Sequence, residues 1–347
     1  MGRDLSFPGN KDASAVELPY LRFLDGLRAV SVLAVVFYHA GLKAIPGGFI
    51  GVDVFFVISG FLIINQIARR LQRNDFSILE FYGRRCLRIL PPFFIVLAAS
   101  ALIASFVLVA PGEIREFGRQ ALWSSLMLVN HLFVSQQGYF DAAAEAKPLL
   151  NMWSLAVEEQ FYLGVPLTLL ALWLVPLRYA VWIVGVLALA SFAGCVYFTS
   201  DEGTNYAFYF TTLRAWEFVV GGSITLILPF VTRLPALLVT AIGLGGIAAI
   251  GVGVTALNAE MLYPYYYALL PVLGAACVIT CGLVDPNSIV SRALSIRPMV
   301  AIGLISYSWY LWHWPLLSFW RTWSAGQSTL RLDLVVVAVS AVLASIT

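Results

Sequence analysis

Long apolar runs broken by short polar stretches dominate the chain. Runs long enough to cross about 30 Å of hydrocarbon lie near 23–42, 48–68, 89–110, 152–175, 179–198, 211–230, 235–256, 265–284, 299–320 and 331–347. They predict an all-α polytopic membrane protein of about ten transmembrane helices. An eleventh, weaker run covers 119–135 and contains Arg119, Asn130 and His131.

Positive charge sets the expected topology. The loop between the second and third runs carries Arg69, Arg70, Arg73, Arg84, Arg85 and Arg88, which marks it as cytoplasmic and places the N-terminus on the same side. If 119–135 crossed the membrane, Arg178, Arg233, Arg292 and Arg297 would fall outside. If it does not cross, they fall inside, and the outside of this half keeps only Lys147, Arg321 and Arg331. The second arrangement fits the charge bias, so 119–135 is expected to be re-entrant or to lie at the outer surface.

Composition agrees with a membrane solvent: 60% of the 347 residues are hydrophobic and 12% charged, against about a quarter charged in a soluble domain. The net charge of +2 says little about partners beyond the bilayer, and no nucleic-acid partner is expected. Cys277 and Cys281 are four apart but have no His or carboxylate alongside, so no metal site is expected. The first residues are polar and lack the apolar core of a signal peptide. Residues 1–19 therefore read as a cytoplasmic tail and 20–347 as one membrane-embedded domain. The last run stops at Thr347 without a polar flank, which predicts that the domain is cut before a further segment.

Ionisable groups are rare in these runs, and their placement suggests chemistry. Arg28 and His39 are 11 positions apart, which returns them to one helix face about 16 Å apart; Asp25 lies near that stripe. Asp53 lies in GGFIGVDVFFVISGFL, Glu158 and Glu159 in NMWSLAVEEQFYL, Arg214 and Glu217 in TTLRAWEFVVGG, and His313 in SYSWYLWHWPLL. In the expected topology all of these except Arg28 and Asp25 converge with His39 on the outer half of the bilayer. Such convergence is what a buried catalytic cavity looks like. Arg28 and the arginine-rich loop lie toward the cytoplasm, where guanidinium forks suit phosphate. Blander roles compete. Asp53 suits a helix N-terminus, Arg214 and Glu217 suit a structural pair, and His313 sits in an interfacial belt with Trp309, Trp312 and Trp314. His131 reads as structural or surface-lying.

FLDGLRAVSVLAVVFYHA, GGFIGVDVFFVISGFL, FYGRRCLRILPP, WSLAVEEQFY, TTLRAWEF and YSWYLWHWPL together resemble, in order, the motifs of the acyltransferase type 3 family of integral membrane acyltransferases. The likeness covers 19–347 and is nearest to bacterial O-acetyltransferases of lipopolysaccharide O-antigen and related surface polysaccharides. It implies a bacterial inner-membrane enzyme with acetyl-CoA as donor substrate, no permanently bound cofactor and a lipid-linked or polymeric glycan as acceptor. A periplasmic SGNH-type domain often follows in that branch. The resemblance maps the family's Arg/His pair onto Arg28 and His39, its helix glutamate onto Glu158 and its arginine-rich motif onto Arg84, Arg85 and Arg88. It departs at Asn151, where relatives of that branch commonly have His.

These assignments give His39 the role of general base or acyl relay, with Glu158 as its orienter or proton partner. Arg28, Arg84, Arg85 and Arg88 would hold the donor. Asp25, Asp53, Trp153, Ser154, Tyr162, Arg214, Glu217 and His313 take supporting or acceptor-side places. Within that group, Arg214 and His313 are candidates to stabilise the thioester oxyanion or to position the acceptor. The competing class is a secondary transporter or flippase of lipid-linked sugars, but the chain has no self-similar halves of the kind such folds carry.

Overall fold

The computed structural model describes residues 20–136, 146–200 and 204–347; the expected tail at 1–19 lies outside them. Helix makes up 82% of the structure and no strand occurs among the described residues, so the chain is an all-α membrane protein. In chain order the helices are α1 (Arg22–His39), α2 (Gly51–Gln72), α3 (Ile78–Val107), α4 (Pro111–Ser125), α5 (Val129–Ser135), α6 (Met152–Trp173), α7 (Leu177–Ser200), α8 (Thr204–Tyr209), α9 (Thr211–Val231), α10 (Ala236–Ala256), α11 (Leu269–Val284), α12 (Ile289–Leu294), α13 (Arg297–Trp323) and α14 (Leu330–Ile346).

Among the described residues, seven segments are long and apolar enough to cross a membrane: α2, α3, α6, α7, α9, α10 and α11, the first and last with a preceding 3-10 turn. The other three expected spans are α1, α13 and α14. α1 holds Arg22, Asp25 and Arg28 in its 18 residues, α13 carries five Trp, three Ser and His313, and α14 has only 17 residues.

The weak run at 119–135 is not one helix. It breaks at Met127, whose φ is 54°, between α4 and α5. Gln160 of α6 holds the break: its Nε2 donates to the Met127 carbonyl at 2.8 Å and to Asn130 Oδ1 at 2.9 Å. Thr211 Oγ1 donates to Gln160 Oε1 at 2.5 Å. Buried amides need such partners because an unpaired polar group in apolar surroundings is expensive. His131 packs edge-on to Phe210, with ring centroids 5.0 Å apart.

Close packing fixes the helices that matter for the site. Gly303 of α13 faces the Asp25 backbone of α1, and a Cβ there would overlap the Asp25 carbonyl oxygen. Helices in lipid approach this closely only through small residues. α1 ends at His39 because Gly41 turns left-handed (φ 82°) and Leu42 N–H closes back on the Phe37 carbonyl at 3.0 Å. His39 thus sits in a helix turn whose exit is fixed.

Candidate active site

α1, α2, α6 and α13 each pass between two cavities. The first has a volume of about 100 Å³ and is lined by Arg28, Ser59, Arg85, Arg88, Glu158, Glu159 and Tyr162, among others. The second has a volume of about 920 Å³ and is lined by Tyr38, His39, Phe49, Asn151, Trp153, Tyr263, Trp314 and Arg321, among others. Val52 and Tyr310 line both and form the wall between them.

The lining order gives the helix directions. α1 and α13 run from the arginine cavity to the histidine cavity, whereas α2 and α6 run the other way. α3 meets the arginine cavity near its start, through Arg85 and Arg88, and leads away from it. α6 therefore sets out from the side on which α2 set out, so α4 and α5 return the chain on one side. These are the relative directions expected from the arginine bias.

In the small cavity the Glu158 carboxylate accepts hydrogen bonds from the Ser59 and Tyr162 hydroxyls. Glu159 Oε1 is buried beside it without a hydrogen-bond partner. Arg85 donates to Gln66 Oε1 at 2.9 Å and lies 5.6 Å from the Tyr162 ring centroid. Arg28 Nη1 is 3.6 Å from Asp25 Oδ1. A guanidinium wall with embedded carboxylates can hold a charged or amide-bearing chain and fix its orientation.

The large cavity has a histidine pair at its edge. His39 Nδ1 lies 2.9 Å from His313 Nε2, with the two rings only 14° from coplanar. His313 is fully buried, lines neither cavity, and places Nδ1 at 3.2 Å from the Trp309 carbonyl. Trp314 packs on the His39 ring at 4.6 Å. Arg321 donates from Nη2 to the His39 carbonyl at 2.6 Å and to Asp333 Oδ2 at 2.8 Å. A half-buried imidazole that lines a cavity and is held on one nitrogen can act as base or nucleophile through the other.

The wall is a hydrogen-bonded unit. Tyr310 Oη is 2.6 Å from Ser154 Oγ and donates to the Asn151 carbonyl at 3.1 Å. Asn151 Nδ2 donates to the Tyr310 carbonyl at 2.7 Å. Asn151, where the resemblance departs from its relatives, is thus a tie between α6 and α13.

The cluster expected around His39 does not hold together: Glu158 and Glu159 join the arginines expected apart from it, and Asp53, Arg214 and Glu217 stand by themselves. Arg28, Arg85, Arg88, Ser154, Glu158 and Tyr162 share the small cavity; His39 and Trp153 line the large one, with His313 behind His39. Glu158 is therefore not the partner of His39. It lies seven residues after Asn151, about 10 Å further along α6, which carries it past the wall. Asp53, Arg214 and Glu217 form the third group. Arg214 pairs with Asp53 at 2.7 Å and lies 3.1 Å from Glu217, all three almost wholly buried. Arg214 lines neither cavity, so its charge holds α2 to α9 rather than meeting a substrate. Asp25 turns to Arg28, and Arg84 pairs with Glu80 and lines neither cavity. Trp309, Trp312 and Trp314 are buried inside the protein rather than arrayed as an interfacial belt.

Sequence reasoning missed Ser59, Tyr310, Gln160 and the site role of Arg321. Arg321 carried a signal, since 313, 317 and 321 share one helix face. Ser59 carried none, because only the packing of α2 on α6 aims it at Glu158.

Known proteins align with much of this sequence. The family profile described as "Acyltransferase domain" matches residues 21–347. "O-acetyltransferase OatA" of Staphylococcus aureus is 30% identical over 94% of this chain and 56% of its own length. "Peptidoglycan O-acetyltransferase OatA" of Listeria monocytogenes is 30% identical over 86% of this chain and 50% of its own. The chain thus spans about half the length of these relatives. No solved structure gives a significant match. With its motifs in order and the profile match running from residue 21 to Thr347, the chain belongs to the acyltransferase type 3 family of integral membrane proteins.

Proposed function

We propose that this protein is a membrane O-acetyltransferase of the bacterial cytoplasmic membrane, moving acetyl from cytoplasmic acetyl-CoA to a hydroxyl of an envelope polysaccharide on the opposite side. The observation that carries the reading is the pair of cavities that meet at Val52 and Tyr310, with arginines in one and His39 in the other. The small cavity suits the slim thioester arm of the donor, with Arg28, Arg85 and Arg88 toward its phosphates. The large cavity suits a sugar: Tyr38, Phe49, Trp153, Tyr263 and Trp314 line it with flat apolar rings.

The chemistry balances in either of two ways. As general base, His39 takes the hydroxyl proton while the sugar oxygen attacks the thioester carbonyl carbon. The C–S bond breaks and the coenzyme A thiolate recovers the proton. As relay, His39 first displaces the thiolate and bears the acetyl group; the sugar oxygen then breaks the C–N bond, and the hydroxyl proton ends on the thiolate. Acetyl-CoA is a substrate in both, not a resident group. The names of the relatives support a peptidoglycan acceptor, whereas the motif resemblance points to lipopolysaccharide O-antigen.

The test is transfer of radiolabelled acetyl from acetyl-CoA by the purified protein in vesicles, with peptidoglycan fragments or O-antigen offered separately. Label on a glycan hydroxyl, abolished by His39→Ala, is the expected result. Wild-type labelling by His39→Ala, or glycan counterflow without acetylation, overturns it.

A further inference from the structure

His39 needs one particular ring nitrogen free, and the structure contains a device that selects it. A backbone carbonyl can only accept, so the 3.2 Å contact between the Trp309 carbonyl and His313 Nδ1 requires the proton on that nitrogen. In a regular helix the same carbonyl also accepts the His313 backbone N–H, and its second lone pair is open to the ring. For a neutral ring, His313 Nε2 is then an acceptor. It lies 2.9 Å from His39 Nδ1, so His39 Nδ1 carries the other proton. The lone pair of neutral His39 is left on Nε2. The rings are nearly coplanar with their nitrogens facing, which is an in-plane hydrogen bond rather than a face-to-face stack.

We propose that His313 is a positioning residue that fixes the tautomer of His39, so that Nε2 of His39 is the nitrogen offered to the acceptor cavity. The inference rests on the assignment of His39 above and deepens it. His313 lines neither cavity and touches no substrate. It orients its partner as the carboxylate does in a serine-hydrolase triad, with an imidazole nitrogen as the acceptor in place of the carboxylate oxygen. The anchor is itself held, since Trp309 Nε1 donates to Ser340 Oγ at 2.9 Å. Tyr38 and Trp314 hold the His39 ring from its sides. The same tautomer serves both chemical routes. In the base route Nε2 takes the hydroxyl proton, and in the relay route Nε2 attacks the thioester carbon; Nδ1–H stays on His313 throughout.

Two measurements test this. The first is ¹⁵N imidazole NMR of the wild-type protein in detergent, with histidines selectively labelled and His39 assigned by its loss in His39→Ala. The expected spectrum shows His39 protonated on Nδ1 and not on Nε2; a proton on Nε2 overturns the proposal. The second is kinetic. His313→Leu should lower kcat by up to about 10⁴-fold, as losing a tautomer-fixing partner does elsewhere, with KM for acetyl-CoA unchanged. His313→Gln, whose amide oxygen can stand where Nε2 stood, should return kcat to within about tenfold of wild type. Wild-type kcat in His313→Leu overturns the proposal, as does a His313→Gln variant that binds acetyl-CoA normally but is no better than His313→Leu. If His39→Ala kept full activity, the catalytic assignment of His39 would fail, while the NMR result would still decide the tautomer.

Discussion

The two cavities draw on the same four helices, yet they are made of opposite materials. The smaller is walled by charge of both signs: Arg28, Arg85 and Arg88 with Glu158 and Glu159. The larger is walled largely by aromatic rings, with Arg321 and Asp333 the guanidinium and carboxylate among its described lining residues. Charge inside a membrane protein is costly and is placed where it meets charge; broad aromatic faces are placed where a ligand is apolar on its faces and polar at its edges. On the proposed function, the difference separates the two recognition tasks of a group transfer, one for the donor and one for the acceptor. It also explains why the histidine and the arginines of the first helix stand apart: α1 has one foot in each chamber.

His39→Ala breaks the comparison most severely. Removing the base or nucleophile should reduce acetyl transfer by about 10³-fold or more while leaving acetyl-CoA affinity intact, because His39 does not line the arginine cavity. Radiolabel transfer and coenzyme A binding, measured on the same preparation, check both halves. A parallel loss of binding would mean that the two chambers are one site.

Arg85→Ala and Arg88→Ala attack the other chamber. Each should raise KM for acetyl-CoA about 10- to 100-fold, the size of one lost charge-assisted hydrogen bond, with KM for the glycan unmoved. Arg84→Ala is the control. Its guanidinium pairs with Glu80 and lines neither cavity, so its donor KM should stay within about twofold, as surface pairs contribute little. A response of Arg84→Ala equal to that of Arg85→Ala would show that the arginines act as a diffuse field rather than by contact.

These contrasts also mark how far the sequence could be read. Helix positions, relative directions and the return of 119–135 on one side were legible, because hydropathy and arginine bias act on whole segments. The identities of His39, Arg28 and Glu158 as polar groups in apolar helices were legible for the same reason. Their pairings were not. Whether Glu158 meets His39 or Ser59 depends on about 10 Å of depth along α6, and on which face of α2 packs there. Whether Arg214 serves a substrate or Asp53 depends on how close α2 and α9 stand. Gln160 reads in sequence as one more residue of a motif, yet it carries the bonds that shape the α4–α5 break. Gln160→Leu should accordingly cost about 1–3 kcal/mol by leaving buried partners unpaired. The expected readout is a lower Tm in detergent, with coenzyme A affinity kept; an unchanged Tm would mean that the break is held elsewhere.

The smallest effect asks the most of the comparison, because it concerns the wall itself. Tyr310 is joined to α6 by its hydroxyl, at Ser154 and the Asn151 carbonyl, and by its own carbonyl, at Asn151 Nδ2. Tyr310→Phe removes only the hydroxyl. Ser154 keeps its bond to the Asn151 carbonyl at 3.3 Å, so stability should fall by about 1 kcal/mol at most, and the ring still fills the wall. What changes is its hold. A looser ring lets water from the large cavity reach the thioester, so acetyl-CoA hydrolysis without acceptor should rise a few-fold while transfer to glycan stays within about threefold. Tyr310→Ala removes the ring, joins the chambers and should raise hydrolysis further at the expense of transfer. Free thiol released with and without glycan measures both. If hydrolysis is unchanged in Phe and Ala variants that still transfer acetyl, Tyr310 is not the barrier between donor and acceptor, and the two cavities are separate for a reason other than water exclusion.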